Sequence, residues 1–265
     1  MGNFLLADPS LSDEGAIYNV TGEATEAPAD NLQTMQPKEL YEIPSAAAGS
    51  KVIDIDLGTS ASYDFFALLF TNLSASATWS ITSGTNGVVF GTTLLASTTF
   101  RAAGQTGYPR THGFYVHSST ETNRFVRLTL SDTGNTDGVL RLGRLYICKA
   151  WRIPADYGLT FGFSDTAEAV ETVAGERIPH QRETVPALSF QLSVTGSSAW
   201  ADVQTNLYEL FRKRGSSRDV LAIIDPDDTS YAGRLVRYGT LQPQLALSLP
   251  AYQFYQTNVE LSGLI

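Results

Sequence analysis

The sequence predicts a mainly β chain of two domains with one packed helix. Three observations carry that prediction. Thirteen Phe, twelve Tyr and three Trp stand beside many Thr, Ser, Val and Gly, a composition that favours strands. Short apolar segments alternate in character and are separated by Gly-, Asn- and Asp-rich turns. Only one stretch carries apolar residues at helical spacing.

Residues 1–30 read as an N-terminal arm, extended or edge-strand at Phe4-Leu5-Leu6 and polar afterwards. Residues 31–150 form the first predicted domain. In Val52 to Leu57, Ile53, Ile55 and Leu57 share one face while Asp54 and Asp56 share the other, the alternation of a half-buried strand. Gly58 ends it. Tyr63 to Phe70 is nearly continuous apolar sequence and reads as a fully buried strand. Further strands are expected at Thr78–Thr82, Gly87–Phe90, Gly113–His117, Arg124–Leu130 and Val139–Ala150. Many short strands at this spacing argue for an antiparallel sandwich.

The pattern changes near Ile153-Pro154, and 151–265 is the second predicted domain. Strands are expected at Gly158–Phe163 and over 185–195, with a polar stretch from Asp165 to Glu183 between them. Trp200, Val203, Leu207, Leu210 and Phe211 then form one apolar stripe of a helix over 198–214, which must pack on a sheet. Ser197 or Ser198 is placed to cap it, and Arg212-Lys213-Arg214-Gly215 suits its C-terminal end. Strands follow at Val220–Ile224, Gly233–Tyr238, Gln244–Leu249 and Tyr252–Leu261, with a turn at Asp225-Pro226-Asp227-Asp228.

Two resemblances rest on these segments. Asp56-Leu57-Gly58 and Asp64-Phe65-Phe66-Ala67-Leu68, with the later Arg124–Leu130 and Leu140–Ile147 stretches, resemble the strands of discoidin-like (galactose-binding, jelly-roll) modules. Residues 158–265, with Leu221–Asp227, Arg237–Leu241 and a long final strand, resemble minor and distal-tail proteins of long-tailed, siphovirus-like bacteriophages. Together they imply an N-terminal discoidin-like jelly-roll sandwich followed by a tail-tube-like β-sandwich or barrel with one packed α-helix. The second half would build homo-oligomeric rings, a hexamer first and a trimer second, with Glu168–Gln181 among the contact loops. The implied function is a structural component of a phage tail tip or baseplate, joining the tail tube to the host-recognition apparatus. Its partners would be the tail tube, hub and fibres, and its place the virion, after synthesis in the host bacterial cytoplasm. The alternative reading is a carbohydrate-binding module for adsorption to host-surface glycan.

Net charge is −9, and the two halves share it evenly, so no basic surface for gripping phosphates is expected and no specific nucleic-acid binding. An acidic lumen would suit a tube through which DNA slides. A lone cysteine, Cys148, excludes an intrachain disulfide or multi-cysteine metal site and reads as a small buried hydrophobe. No signal peptide or membrane span is expected, hence no membrane partner.

The chain carries no nucleophile elbow, P-loop or dinucleotide fingerprint, and no carboxylate pair stands out for glycoside hydrolysis. The sequence therefore argues against an enzyme and implies no cofactor. His112 and His117 fall on opposite faces of one strand and do not share a metal. Asp54 and Asp56 offer oxygens to Ca²⁺, while a solvated strand face explains them as well. A sugar site uses an aromatic platform with fixed polar groups in a concave place. Tyr41, Trp79, Tyr108, Arg110 and His112 are the glycan-contact candidates, and core or subunit-contact roles remain open for each.

Overall fold

The computed structural model describes residues 3–44, 49–154, 159–165, 168–171, 177–180, 184–242, 247–251 and 254–264. The chain divides into two units, Asn3–Ile153 with Ala222–Val236, and Pro154–Leu221 with Arg237–Ile265.

The first unit contains β1 (Asn3–Ala7), α1 (Ser10–Glu14), β2 (Ala16–Val20), β3 (Tyr41–Pro44), β4 (Lys51–Asp56), β5 (Tyr63–Thr71), β6 (Thr78–Gly84), β7 (Thr92–Thr99), β8 (Thr111–Glu121), β9 (Phe125–Ser131), β10 (Val139–Leu142), β11 (Arg144–Cys148) and β12 (Trp151–Pro154). It is a jelly-roll sandwich. A five-stranded sheet, ordered β2-β4-β9-β6-β7, faces a three-stranded sheet, β11-β5-β8, and a two-stranded piece, β10-β3. The core lies between them. The five-stranded sheet contributes Ile53, Ile55, Trp79, Ile81, Leu94, Val126, Leu128 and Leu130, and the opposite side Tyr41, Ile43, Phe66, Leu68, Leu140, Leu142, Leu145 and Ile147.

Strand β5 is buried on both faces, since Phe65, Ala67 and Leu69 are as inaccessible as Phe66 and Leu68. That explains its unbroken apolar run. Cys148, in the neighbouring β11, is also buried.

Several expectations need correction. Gly87–Phe90 is irregular chain outside the strands. The Asn86 side-chain oxygen accepts from the backbone N–H groups of Val88 and Val89, a local bond that competes with strand pairing. The single strand expected over 139–150 breaks at Gly143, where an added Cβ would meet the Phe70 Cβ at 2.7 Å. The arm over 1–30 holds β1, α1 and β2; α1 packs on β11, and β2 is an edge strand of the five-stranded sheet. Asp54 is fully buried, so β4 does not present a solvated face there.

The second unit contains β13 (Thr160–Ser164), β14 (Glu168–Glu171), β15 (Arg177–His180), β16 (Val185–Thr195), α2 (Ser197–Val203) and α3 (Glu209–Arg214). Strand β17 (Asp219–Ile223) is divided between the units, and β18 (Val236–Leu241), β19 (Leu247–Ala251) and β20 (Phe254–Gly263) complete the chain. Strands run β18-β20-β16-β13, with β19 also paired to β20. The longest pairing joins β16 to β20, from Ala187↔Ser262 to Thr195↔Phe254.

The helix expected as one piece is interrupted by a π-helical turn, Gln204–Tyr208. Its stripe survives: Val203, Leu207 and Leu210 are buried, Phe211 is half-buried, and Trp200 stacks on Tyr255 of β20 at 3.9 Å between ring centres. The cap position falls one residue before Ser197. Gly196 holds the N-cap position without a side-chain bond. At the other end Gly215, with φ of 53°, donates its N–H to the Phe211 carbonyl, a left-handed close that glycine permits. Glu168–Glu171 (β14) pairs antiparallel with Arg177–His180 (β15), and Gln181 lies outside the described residues, as do Gly158, Gln244 and Tyr252. Strand β18 starts at Val236, after a 3-10 turn at Ala232–Arg234. Among the described residues no helix is long and apolar enough to cross a membrane.

Candidate functional site

Register brings three loops to one end of the sandwich. Thr71, ending β5, pairs with Thr111, opening β8. Thr78, opening β6, pairs with Ser131, ending β9. The connections over 72–77, 100–110 and 132–138 therefore emerge together. They enclose a cleft of about 160 Å³ whose lining includes Asn72, Ser74, Arg101, Tyr108, Asn135 and Asp137.

Most of these polar groups hold the loops in place. Asn72 donates to the Asp137 carboxylate and the Val139 carbonyl, at 2.9 Å each, and accepts from the Arg141 N–H at 2.7 Å. Asp132 accepts from both the N–H and the hydroxyl of Ser74. Asn135 donates to the Asn72 carbonyl and accepts from the Asp137 N–H. Two loops are thus bonded into one wall before any ligand arrives, the preorganisation that lowers the cost of binding.

Three side chains keep capacity to spare. Arg101 spends one terminal nitrogen on the Leu73 carbonyl at 2.8 Å, and its buried Nε finds no partner among the described residues. A buried donor left unmade costs about 1–3 kcal/mol. Tyr108 keeps 47% of its surface exposed. Asp137 accepts from Asn72 and meets Arg141 at 4.0 Å, both through Oδ2. Arg101, Tyr108 and Asp137 line one concavity, and a guanidinium, an aromatic ring and a carboxylate are a set suited to polyhydroxylated ligands.

Among the glycan candidates read from sequence, Tyr108 alone lines this cleft. Tyr41 and Trp79 are core residues, 0% and 2% exposed, with no surface for a ligand. The Tyr41 hydroxyl donates to the Gly22 carbonyl at 2.7 Å, and burial raises its pKa. Trp79 packs edge-on against Phe100. Arg110 is half-buried and not part of the lining. His112 is half-buried behind the loop, where its Nδ1 accepts from the Phe70 N–H at 3.1 Å. Burial first, and the Arg110 charge second, push its pKa down to about 4. It is a neutral imidazole that anchors backbone. His117 instead meets the Tyr115 hydroxyl at 3.0 Å.

The two calcium candidates are each gripped by an arginine fork. Asp54 receives Arg127 at 2.6 and 2.8 Å and Asn19 at 2.6 Å. Asp56 receives Arg124 at 2.6 Å through both oxygens, and that bonding holds its carboxyl below the ordinary range. Their oxygens are committed to ion pairs with Arg127 of β9 and with Arg124 just before it, and no cluster of metal-ligating side chains occurs among the described residues.

Sequence reasoning missed Arg101 and Asp137. Both lie in stretches rich in Gly, Asn, Asp and Ser that read only as turns. The available signal was pairing: once β5 with β8 and β6 with β9 are assigned, their loops must share an end.

No family model matches the chain, and no curated protein matches it. Solved structures with partial similarity include the family 32 carbohydrate-binding module of NanJ from Clostridium perfringens in complex with galactose. It shares 14% identity over 55% of this chain and 99% of its own, with a TM-score of 0.42. A chitosan-binding module from a Paenibacillus chitosanase/glucanase shares 13% over 52% and 96%, with a TM-score of 0.41. Reduced XRCC1, bound to the DNA polymerase β catalytic domain, shares 12% over 50% and 94%, also at 0.41. Similarity at this level assigns no ligand to the chain.

Proposed function

We propose that the sandwich unit is a glycan-binding module and that the cleft between its three end loops is the binding site. The observation that carries this reading is that Arg101, the exposed Tyr108 and Asp137 line one cleft on prebonded loops. A vicinal diol answers that set: one hydroxyl oxygen accepts from Arg101, a neighbouring hydroxyl donates to Asp137, and the C–H face of the ring lies on Tyr108. A glycan array followed by calorimetric titration tests it. Arg101→Met and Tyr108→Ala should each weaken binding at least about tenfold, or about 1.4 kcal/mol. An array with no glycan bound, or binding untouched by both substitutions, would sink the proposal.

A second reading concerns the other unit, which we propose as the assembly half of a phage tail-tip protein, forming a hexameric or, failing that, trimeric ring in the virion. Strand β13 favours it. Among the described residues this strand ends its sheet, and Phe161 and Phe163 on it are 49% and 67% exposed. An open edge bearing exposed aromatics is a template for strand pairing between copies. Light scattering across a concentration series should give a discrete hexamer or trimer, and a monomer at every concentration counts against it.

A further inference from the structure

The segment 222–236 lies outside the contiguous sandwich sequence yet belongs to the same unit. It docks on the loop that carries Tyr108. Gly233 donates its N–H to the Ala103 carbonyl at 2.9 Å, and Arg234 donates through Nε to the Gly104 carbonyl at 2.5 Å. Gly104, at φ of +83°, lies so close that an added Cβ would meet the Ser230 carbonyl oxygen at 2.9 Å and the Tyr231 Cα at 3.0 Å. A Cβ on Gly233 would collide with the Gln105 amide. Gln105 is itself buried and bonded to the backbone of His112 through both ends of its amide, at 2.7 and 2.9 Å. The contact is backbone on backbone, and two glycines make it attainable.

What this contact presents is aromatic. The Asp228 carboxylate accepts from the N–H groups of Ser230 and Tyr231, at 2.7 and 3.0 Å, which fixes the turn before Tyr231 and leaves its ring 54% exposed. The Arg234 guanidinium carbon lies 5.5 Å from the centre of that ring and 5.9 Å from the centre of Tyr108. The two ring centres are therefore no more than 11.4 Å apart (5.5 plus 5.9 Å), with one cation within reach of both. Tyr108 belongs to both arrangements: it lines the cleft and flanks Arg234.

We infer that Tyr231 and Arg234 form a second subsite, so that the site takes an oligosaccharide rather than a single sugar. The inference rests on the glycan reading of the cleft. One sugar occupies Arg101, Asp137 and Tyr108, and the chain continues over Arg234 towards Tyr231. The separation of the rings lies within the span of a short oligosaccharide. Rigid, exposed tyrosines contribute contact area at low conformational cost, and Arg234 adds donors for ring and linkage oxygens.

The test is calorimetric titration of the full chain with glucose, galactose and N-acetylglucosamine, and with the β-linked tetrasaccharide of each. The wild type should bind the tetrasaccharide of its preferred sugar about tenfold more tightly than the monosaccharide. Tyr231→Ala and Tyr231→Leu should remove that advantage and leave monosaccharide affinity unchanged, with unaltered melting temperatures as the folding control. Arg101→Met should weaken both lengths alike. Equal affinity for both lengths in the wild type overturns the second subsite and leaves the first standing. So does a Tyr231 substitution that preserves the advantage. If no sugar of either length binds, the cleft reading falls and takes the second subsite with it.

Discussion

Asp13 and Arg144, 131 residues apart, meet through two hydrogen bonds of 2.6 and 3.0 Å, with the guanidinium only 1% exposed. Arg144 also donates to the Leu32 carbonyl at 3.2 Å. A short helix near the N-terminus is thus tied to the middle of the sandwich by a charge that water does not reach. Removing one partner leaves the other buried and uncompensated, which costs far more than removing both. Asp13→Ala should lower unfolding stability by about 3 kcal/mol in urea titration. The paired change Asp13→Leu with Arg144→Met should recover most of that loss. Equal losses for the single and paired variants would show that shape, not charge, matters at this place.

His112 gives the fold a pH dependence of definite sign. Its folded pKa is pushed down to about 4, against about 6.5 for an unperturbed imidazole. As pH falls through about 6.5 the unfolded chain takes up this proton, and the folded chain does so only near 4. Stability is therefore lost across that window, by up to about 1.4 kcal/mol per pH unit, and is unaffected above it. His112→Asn places an acceptor near Nδ1 for the Phe70 N–H and cannot titrate there. Urea midpoints at pH 7 and pH 4.5 should differ less for the variant than for the wild type.

Gly113 lies where β8 passes beneath Phe100. A Cβ there would meet the Phe100 ring at 2.5 Å and its carbonyl oxygen at 2.6 Å. The ring is buried against Trp79 at 5.3 Å between centres, and the Phe100 N–H is bonded to the Ala77 carbonyl at 2.9 Å, so neither ring nor backbone is free to retreat. Gly113→Ala should cost about 2 kcal/mol through overpacking, read as a lowered thermal midpoint.

Leu207 is fully buried at the centre of the helical stripe. Leu207→Ala should cost the second unit about 3 kcal/mol through transfer and cavity terms. Hydrogen exchange should show faster opening of β16 and β20 while β4 and β9 stay protected. Uniform loosening of all four strands would mean that the two units unfold as one.

Strands whose reasons are local were legible in the sequence. Ile53 and Ile55 alternate, Leu188 to Val194 alternate, and Tyr63–Phe70 carries the continuous apolar run of a strand covered on both faces. The helix was legible from Trp200 to Phe211, but its π turn was not, because a slipped turn leaves the apolar stripe almost unchanged. Aromaticity misled at Tyr41 and Trp79: a ring in a predicted loop or edge reads the same whether a core or a ligand awaits it. Asp54 and Asp56 misled in the opposite way, since their arginines arrive from another strand through long-range register. The cleft was the least legible part. Arg101, Tyr108 and Asp137 come from two loops, and segment 228–234 lies far along the chain. Only assembly of the sheets makes them neighbours.

The sandwich unit takes its material from 3–153 and again from 222–236. During synthesis the ribosome therefore delivers the first stretch, then spends 68 residues on Pro154–Leu221, before the last part of the unit exists. Until then the surface of Gly104 that receives Ser230 and Tyr231 is open. A nascent chain arrested near residue 200 lacks the Tyr231 extension, and the missing piece can only be added late, after Pro154–Leu221 has been made.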